Sequence, residues 1–208
     1  MLPIWFLSSP LPGMLTWAAV YLLDYARTLT GARLYQGAGR AVLEFEGSYE
    51  LTPQFQDDVN KLRPVSRRFI LALILSEGLL LMFWGLSVRV LGLWQAYEGV
   101  LGVMLMLEAA IHLRHTRNIQ LFRFLQRHPA AVEGHVRYRR ALILWNSVWD
   151  LVGMGVLLTL LALLLGSWFL GGGAVGVLAL ALRHFIMQRK SARNLAASSE
   201  IVQSGGDA

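Results

Sequence analysis

Cysteine is absent from this sequence of 208 residues. A chain without thiols has no disulfide framework, no thiolate nucleophile, no zinc held by thiolates and no iron–sulfur cluster. The sequence also has no phosphate-binding glycine loop, no dinucleotide fingerprint and no Gly-x-Ser-x-Gly nucleophile elbow. These absences remove the sequence signatures of several large enzyme classes, and an enzyme is the less favoured interpretation.

Charge is scarce as well, since charged residues make up 15% of the chain and hydrophobic residues 55%. A soluble domain usually carries about 25% charged residues. A membrane helix needs roughly 20 mostly apolar residues, and the sequence predicts five such spans: 12–31, 69–88, 95–113, 141–165 and 169–187. The expected fold is therefore an all-α, polytopic integral membrane bundle formed by residues 1–193, with loops at 32–68 and 114–140 and a flexible polar tail at 194–208.

Lysine and arginine are distributed unevenly around these spans. Of the 19 Lys and Arg residues, Arg89 alone falls on the side opposite to the two long loops and the C-terminal end. The positive-inside rule then places the N-terminus outside and the C-terminus in the cytoplasm, in a plasma (inner) membrane. The basic charge indicates orientation and contact with the bilayer and its anionic lipids, not nucleic acid. The expected lipid-facing basic residues are Arg67, Arg68, Arg139 and Arg140.

Four of the five spans contain a carboxylate: Asp24, Glu77, Glu108 and Asp150. At 1.5 Å per residue, all four fall roughly 7 to 14 Å inside the cytoplasmic boundary. Each is expected to face the interior of the bundle, because a carboxylate facing lipid would cost about 2.5 to 3.5 kcal/mol or more. Asn146 lies one turn from Asp150 on the same helical stripe. The sequence thus predicts an ion or proton site made of these four acids and Asn146.

A metal site is a second hypothesis for the third span. Glu108, His112 and His115 are separated by four and three residues, so they share one helical face. Such a face could hold a divalent cation. The Glu-x-x-x-His spacing differs from the Glu-x-x-His spacing of di-iron bundles, and the sequence predicts no other cofactor.

Three shorter patterns predict local structure. Residues 117–129 predict a basic amphipathic helix in the second loop, with Ile119, Phe122 and Leu125 facing the lipid or the bundle and Pro129 at its end. Residues 41–52 alternate apolar and polar residues around a Gly-Ser pair, which is typical of a β-hairpin. In the fifth span, Gly172, Gly176 and Ala179 form a strip of small residues, which predicts a close-packing helix surface.

Three functions remain open from the sequence. The preferred one is a proton- or cation-linked transport or channel protein, homo-oligomeric, that uses the layer of acids. The second is a non-catalytic scaffold or accessory subunit, in which the acids only fix helix packing and the basic loops hold a partner membrane subunit or anionic lipid. The third is a membrane-embedded metalloenzyme acting on a lipid or quinone through Glu108, His112 and His115.

Overall fold

The fold is all-α apart from one pair of three-residue strands. A computed structural model describes residues 2–37, 39–46 and 52–204. Its helices are α1 (Ile4–Leu7), α2 (Leu11–Gln36), α3 (Gln56–Asn60), α4 (Arg67–Trp84, continued as a π-helix over Gly85–Val90), α5 (Trp94–Arg127), α6 (Arg140–Leu165) and α7 (Trp168–Ser204). Its strands are β1 (Leu43–Phe45) and β2 (Val136–Tyr138), and short 3₁₀ turns lie at Gly39–Ala41, Pro53–Phe55 and Pro129–Ala131.

Within the described residues, four helical segments are long and apolar enough to cross a membrane. They are Arg67–Val90, Trp94–Arg127, Arg140–Leu165 and Trp168–Asn194. Helix α2, which holds the predicted first span, has 26 residues and so has the length. It falls outside this group because charged residues such as Asp24 and Arg27 interrupt its apolar sequence. These lengths and compositions support a helical membrane protein.

The helices pack in a row in which each contacts its neighbours. Helix α7 packs against both α5 and α6, α5 packs against α2, and α2 packs against α4. Helices α2 and α4 are antiparallel, because the Trp17 indole donates to Ser76 Oγ (2.7 Å) near the middle of both. At one end of the pair, the Trp84 indole donates to the Leu7 carbonyl (2.9 Å). This arrangement leaves α2 packed along two apolar helices.

Helices α5 and α7 make the closest approach in the bundle. A Cβ added to Gly102 would overlap the backbone of Phe169, and a Cβ added to Gly172 would overlap the backbone of Gly99. Gly176 similarly faces the backbone of Val103. The predicted close-packing surface is therefore confirmed for its two glycines. It is wrong for Ala179, which is exposed.

Helix α5 is longer than the predicted third span. Its 34 residues extend for about 51 Å at 1.5 Å per residue, against a bilayer core of about 30 Å. The helix predicted at 117–129 within the cytoplasmic loop is not separate, because residues 114–127 continue α5 without a break as far as the turn at Pro129–Ala131. They extend beyond the apolar part of the bundle, where Phe122 and Leu125 pack against Leu43 in a separate apolar cluster.

The two long connections are joined by a parallel pair of strands. Leu43 of β1 lies opposite Val136 of β2, and Phe45 lies opposite Tyr138. The predicted hairpin over residues 41–52 is therefore corrected: its first strand exists but pairs with the other connection. Residues 47–51, which contain the expected turn, lie outside the described residues.

Helix α7 runs past the predicted end of the fifth span to Ser204. The predicted flexible tail, residues 194–208, thus begins within a helix. Residues 205–208 lie outside the described part of the chain, and the flexibility of the tail stays a prediction.

Candidate functional site

The four intramembrane acids do not form one layer. Asp24 and Glu108 lie together between α2 and α5, close enough for their charges to interact. Glu77 on α4 and Asp150 on α6 lie apart from them, each in a different environment. Two of the four acids therefore lie together.

The centre of the α2–α5 cluster is His115. Its Nε2 lies 3.3 Å from Asp24 Oδ1 and 3.1 Å from the Thr28 hydroxyl. Asp24 and Thr28 are four residues apart and so share one face of α2. His115 is 4% exposed, which gives the cluster a mostly protein environment.

Glu108 completes this cluster from the preceding turns of α5. It is 5% exposed, and its Oε2 atom has no hydrogen-bond partner among the described residues. The Tyr21 side chain is close enough to interact with the charges of both Asp24 and Glu108. Two carboxylates that share one buried site repel each other when both are ionised. A bound proton or cation would relieve that repulsion.

The His112 side chain does not contact Asp24 or Thr28 as His115 does. Its Nε2–H donates to the Val20 carbonyl of α2 (3.1 Å), whereas His115 contacts Asp24 and Thr28. In the part of the chain that the structure describes, no three His, Asp or Glu residues are placed to hold a metal ion. This geometry corrects the predicted metal site at Glu108, His112 and His115, because a shared helical face did not bring their donor atoms together.

Asp150 is already paired. Its Oδ2 lies 2.9 Å from the Arg117 guanidinium, and the two side chains are 49% and 60% exposed. Asn146, one turn away, is exposed too. The expectation that this stripe faces the interior is therefore wrong for both residues. The buried polar contact of α6 is instead made by Ser147, whose hydroxyl lies 2.9 Å from His184 Nδ1 of α7.

Glu77 lies in a separate polar position on α4. Both of its carboxylate oxygens are buried without a hydrogen-bond partner among the described residues. The Tyr97 hydroxyl of α5 is close enough to Glu77 for an electrostatic interaction. This hydroxyl also has no hydrogen-bond partner among the described residues. Glu77 and Tyr97 thus form a second polar pair between helices, apart from Asp24 and Glu108.

Sequence reasoning missed Glu98. This residue is 1% exposed, and its Oε1 accepts a hydrogen bond from the Leu2 backbone N–H (2.7 Å). It lies near the start of a predicted span, where a charged side chain ordinarily reaches water. The neighbouring Tyr97 gave no warning in the sequence, because a tyrosine at the end of a span is typical of the membrane interface, and its full burial is seen only in the structure.

The predicted lipid-facing arginines are mostly exposed, and three of them also make hydrogen bonds within the protein. Arg67, Arg68 and Arg139 are exposed and Arg140 is half-buried. Arg68 donates to the Gln54 carbonyl (2.9 Å). Contact of these residues with lipid stays a prediction.

The arginines at the start of α6 hold the first long connection. Glu46 accepts from the Arg140 backbone N–H (2.8 Å) and from the Arg139 guanidinium (3.3 Å). These hydrogen bonds, the first being the stronger influence, hold the pKa of Glu46 below its usual value of 4.5. The carboxylate therefore fastens β1 to the beginning of α6.

Two adjoining cavities separate α5 from α6. Their volumes are about 140 and 210 Å³, and Arg114, Arg117 and Ser147 line both. The larger cavity is also lined by His115, so it reaches the edge of the α2–α5 cluster. A wide groove of about 560 Å³ runs along the other side of α2 and α5, where His112 lines it. Of the cluster residues Asp24, Glu108 and His115, His115 alone lines one of these three cavities.

No family model matches this chain, and no curated protein or solved structure is significantly similar to it. The support for its class is the four helices that are long and apolar enough to cross a membrane, which are typical of a small helical membrane protein.

Proposed function

We propose that this protein is a proton- or cation-linked membrane transport protein, and that Asp24, Glu108 and His115 form its binding site. One observation carries the proposal: Glu108 Oε2 is buried without a described partner and lies beside a second carboxylate. Charged groups inside a membrane are costly and commonly mark ion or proton pathways.

The chemistry of the cluster suits a single positive charge. Two neighbouring carboxylates in a low-dielectric site favour a shared proton or a bound cation. The His115 imidazole contacts Asp24 and can exchange a proton with its carboxylate, and His115 also lines the larger α5–α6 cavity. Thr28 orients the imidazole through its hydroxyl. Carboxylate and imidazole thus form a short series of proton-binding groups beside a cavity.

We further propose five spans, with the N-terminus outside and the C-terminus in the cytoplasm. The geometry of α2 supports this, because α2 packs antiparallel to α4 and parallel to α5. Its polar residues face those neighbours and not lipid, as Trp17 and Thr28 illustrate. Its low apolarity is therefore compatible with a span. Location in the plasma (inner) membrane and assembly into a homo-oligomer, or with a partner membrane subunit, stay predictions.

The test is a flux assay with purified protein in liposomes that contain a pH-sensitive dye. We expect Glu108→Gln to lower the proton or cation flux by about 100-fold or more, since one proton-transfer group typically contributes that much to a rate. Asp24→Asn should have a similar effect. The matched control is Glu98→Gln, which alters a buried carboxylate that is held by a backbone N–H outside the cluster.

Wild-type flux in both cluster variants would contradict the proposal. So would an equal loss in Glu98→Gln, because the effect would then follow from burial alone. The second candidate function, a non-catalytic scaffold, is favoured by the Asp150–Arg117 ion pair, since that acid is satisfied within the protein. The scaffold predicts that Glu108→Gln lowers thermal stability while the wild-type protein shows no flux above that of empty liposomes.

A further inference from the structure

The cleft between α5 and α6 is mainly apolar at one end and of mixed polarity at the other. The smaller cavity extends toward the middle of both helices, and its apolar lining is Ala110, Ile111, Leu113, Leu151, Met154 and Leu180. The larger cavity extends the other way, toward the strands, and its lining combines Asn118, Tyr138 and Asn146 with Leu43, Phe45, Leu121 and Ile143. Arg114 and Arg117 lie where the two cavities meet.

The guanidinium of Arg114 is available to a ligand. Arg114 is half-buried, and it makes no hydrogen bond or ion pair with any described residue. The side-chain amides of Asn118 and Asn146 likewise have no such partner within residues 2–37, 39–46 and 52–204. Three groups with unused N–H donors therefore line one cleft.

The charge of the cleft favours an anion. Two arginines line it, and Asp150 is the one acid among the described lining residues. Asp150 contacts Arg117 (2.9 Å), whereas Arg114 acts on the charge of Glu108 without forming an ion pair with a described residue. Guanidinium groups bind phosphate through paired, charge-assisted hydrogen bonds. The arginine and amide groups of the cleft thus match a phosphate group.

We propose that this cleft binds the phosphate of an anionic phospholipid. The phosphate contacts Arg114, the polar headgroup occupies the larger cavity near Asn118 and Asn146, and the first acyl segment follows the apolar lining of the smaller cavity. Volumes of about 140 and 210 Å³ are smaller than a typical pocket for a whole ligand, so the remaining acyl chains lie in the bilayer. The adjoining apolar cavity favours a lipid over free phosphate.

The proposed lipid site differs from the arginines at 67, 68, 139 and 140, but it adjoins the proposed proton or cation site. His115 follows Arg114 in α5 and lines the larger cavity, and the charge of Arg114 acts on Glu108. The two proposals are distinguished by their measurements, because lipid retention tests the cleft and flux in Glu108→Gln tests the acid cluster.

The test is native mass spectrometry of the full chain with phosphatidylglycerol, compared with phosphatidylcholine and with inorganic phosphate. We expect retained phosphatidylglycerol on the wild type, and about tenfold weaker binding in Arg114→Gln, the effect of losing one charged hydrogen bond. The matched control is Arg123→Gln, which removes the same charge from an exposed position of α5 outside both cavities.

If Arg114→Gln fails to fold, Asn146→Ala serves as the second variant, because Asn146 is exposed and makes no described hydrogen bond. We expect it to weaken phosphatidylglycerol binding by severalfold. Equal weakening by Arg123→Gln would overturn the proposal, since it would show general surface attraction. Inorganic phosphate that binds as well as the lipid, or phosphatidylcholine that binds as well as phosphatidylglycerol, would also overturn it.

Discussion

At the scale of single residues, Ser66 joins two parts of the first long connection through one hydroxyl. The hydroxyl donates to Asp58 Oδ2 (2.5 Å) of α3 and accepts from the Phe69 backbone N–H (3.3 Å), so it also caps the start of α4. The Ser66 hydrogen bond, aided by the Arg63 guanidinium, holds the pKa of Asp58 below its ordinary value of 3.8. This buried corner lies outside the apolar length of the bundle.

We expect Ser66→Ala to lower the free energy of unfolding by about 1 to 2 kcal/mol, the usual effect of losing an N-cap. The pH dependence has a definite sign. Because the pKa of Asp58 is lower in the folded state, its contribution is present above the ordinary value of 3.8 and is lost as pH falls through the folded pKa. Thermal unfolding in detergent should show a variant deficit that shrinks in acid.

Ser66→Thr is the control, since it keeps the hydroxyl and should stay near wild-type stability. A Ser66→Ala deficit that is the same at neutral and strongly acidic pH would show that the Asp58 contact contributes nothing.

Single residues also show how much of the candidate site can be predicted from the sequence. The high energetic cost of a buried acid identified Asp24 and Glu108 correctly as members of an internal cluster. The same argument did not predict the position of Asp150. Asp150 follows the buried Ser147 by three residues, a rotation of about 300°, so the two side chains point about 60° apart around the helix axis. The partner that Asp150 then meets, Arg117, belongs to another helix. Only the packing of α6 on α7 decides this rotation.

At the scale of elements, the α5–α7 contact depends on two glycines. A side chain at Gly102 would meet the backbone of Phe169, and backbone atoms cannot turn aside as a flexible side chain can. We expect Gly102→Ala to lower the free energy of unfolding by about 1 to 3 kcal/mol through overpacking. The measurement is thermal or denaturant unfolding in detergent micelles.

The matched control is Gly153→Ala on α6, where an added Cβ meets no atom within 4 Å. It should be neutral, or stabilising by up to about 1 kcal/mol through helix propensity. If both variants behave alike, the close approach of α5 and α7 is not what the glycines provide.

The helices and strands also show which parts of the fold the sequence predicts and which it does not. Long apolar runs predicted the helices α4 to α7 in their correct order. The pairing of β1 with β2 was out of reach, because Leu43 and Val136 lie in different connections and their pairing depends on where α5 and α6 bring the second one. The spacing of Ile119, Phe122 and Leu125 predicted a helix at 117–129, and all three are buried. The continuity of that helix with the third span was missed, because basic residues from 114 onward mark the end of an apolar span.

At the scale of the whole molecule, the directions of the helices and the distribution of basic residues distinguish the same end of the bundle. Helices α2, α5 and α7 run in one direction, and α4 and α6 run in the other, as the contacts Trp17–Ser76, Val20–His112 and Ser147–His184 show. The two long connections therefore lie at the same end as the end of α7. That end carries nearly all of the arginine and lysine, which is the distribution that the positive-inside rule associates with the cytoplasm.

The absence of cysteine makes this orientation simple to measure, because each single-cysteine variant has no competing thiol. Ser8, Gln95 and Glu133 are exposed positions at the two ends of the bundle. With a membrane-impermeant maleimide, we expect Ser8→Cys and Gln95→Cys to react in intact cells, and Glu133→Cys to react only after lysis. The Ser8→Cys variant tests whether α2 crosses the membrane. The Trp84–Leu7 contact places Ser8 at the same end of the bundle as the C-terminal end of α4. Protection of Ser8→Cys beside a reactive Gln95→Cys would contradict five spans, and reaction of Glu133→Cys in intact cells would reverse the orientation.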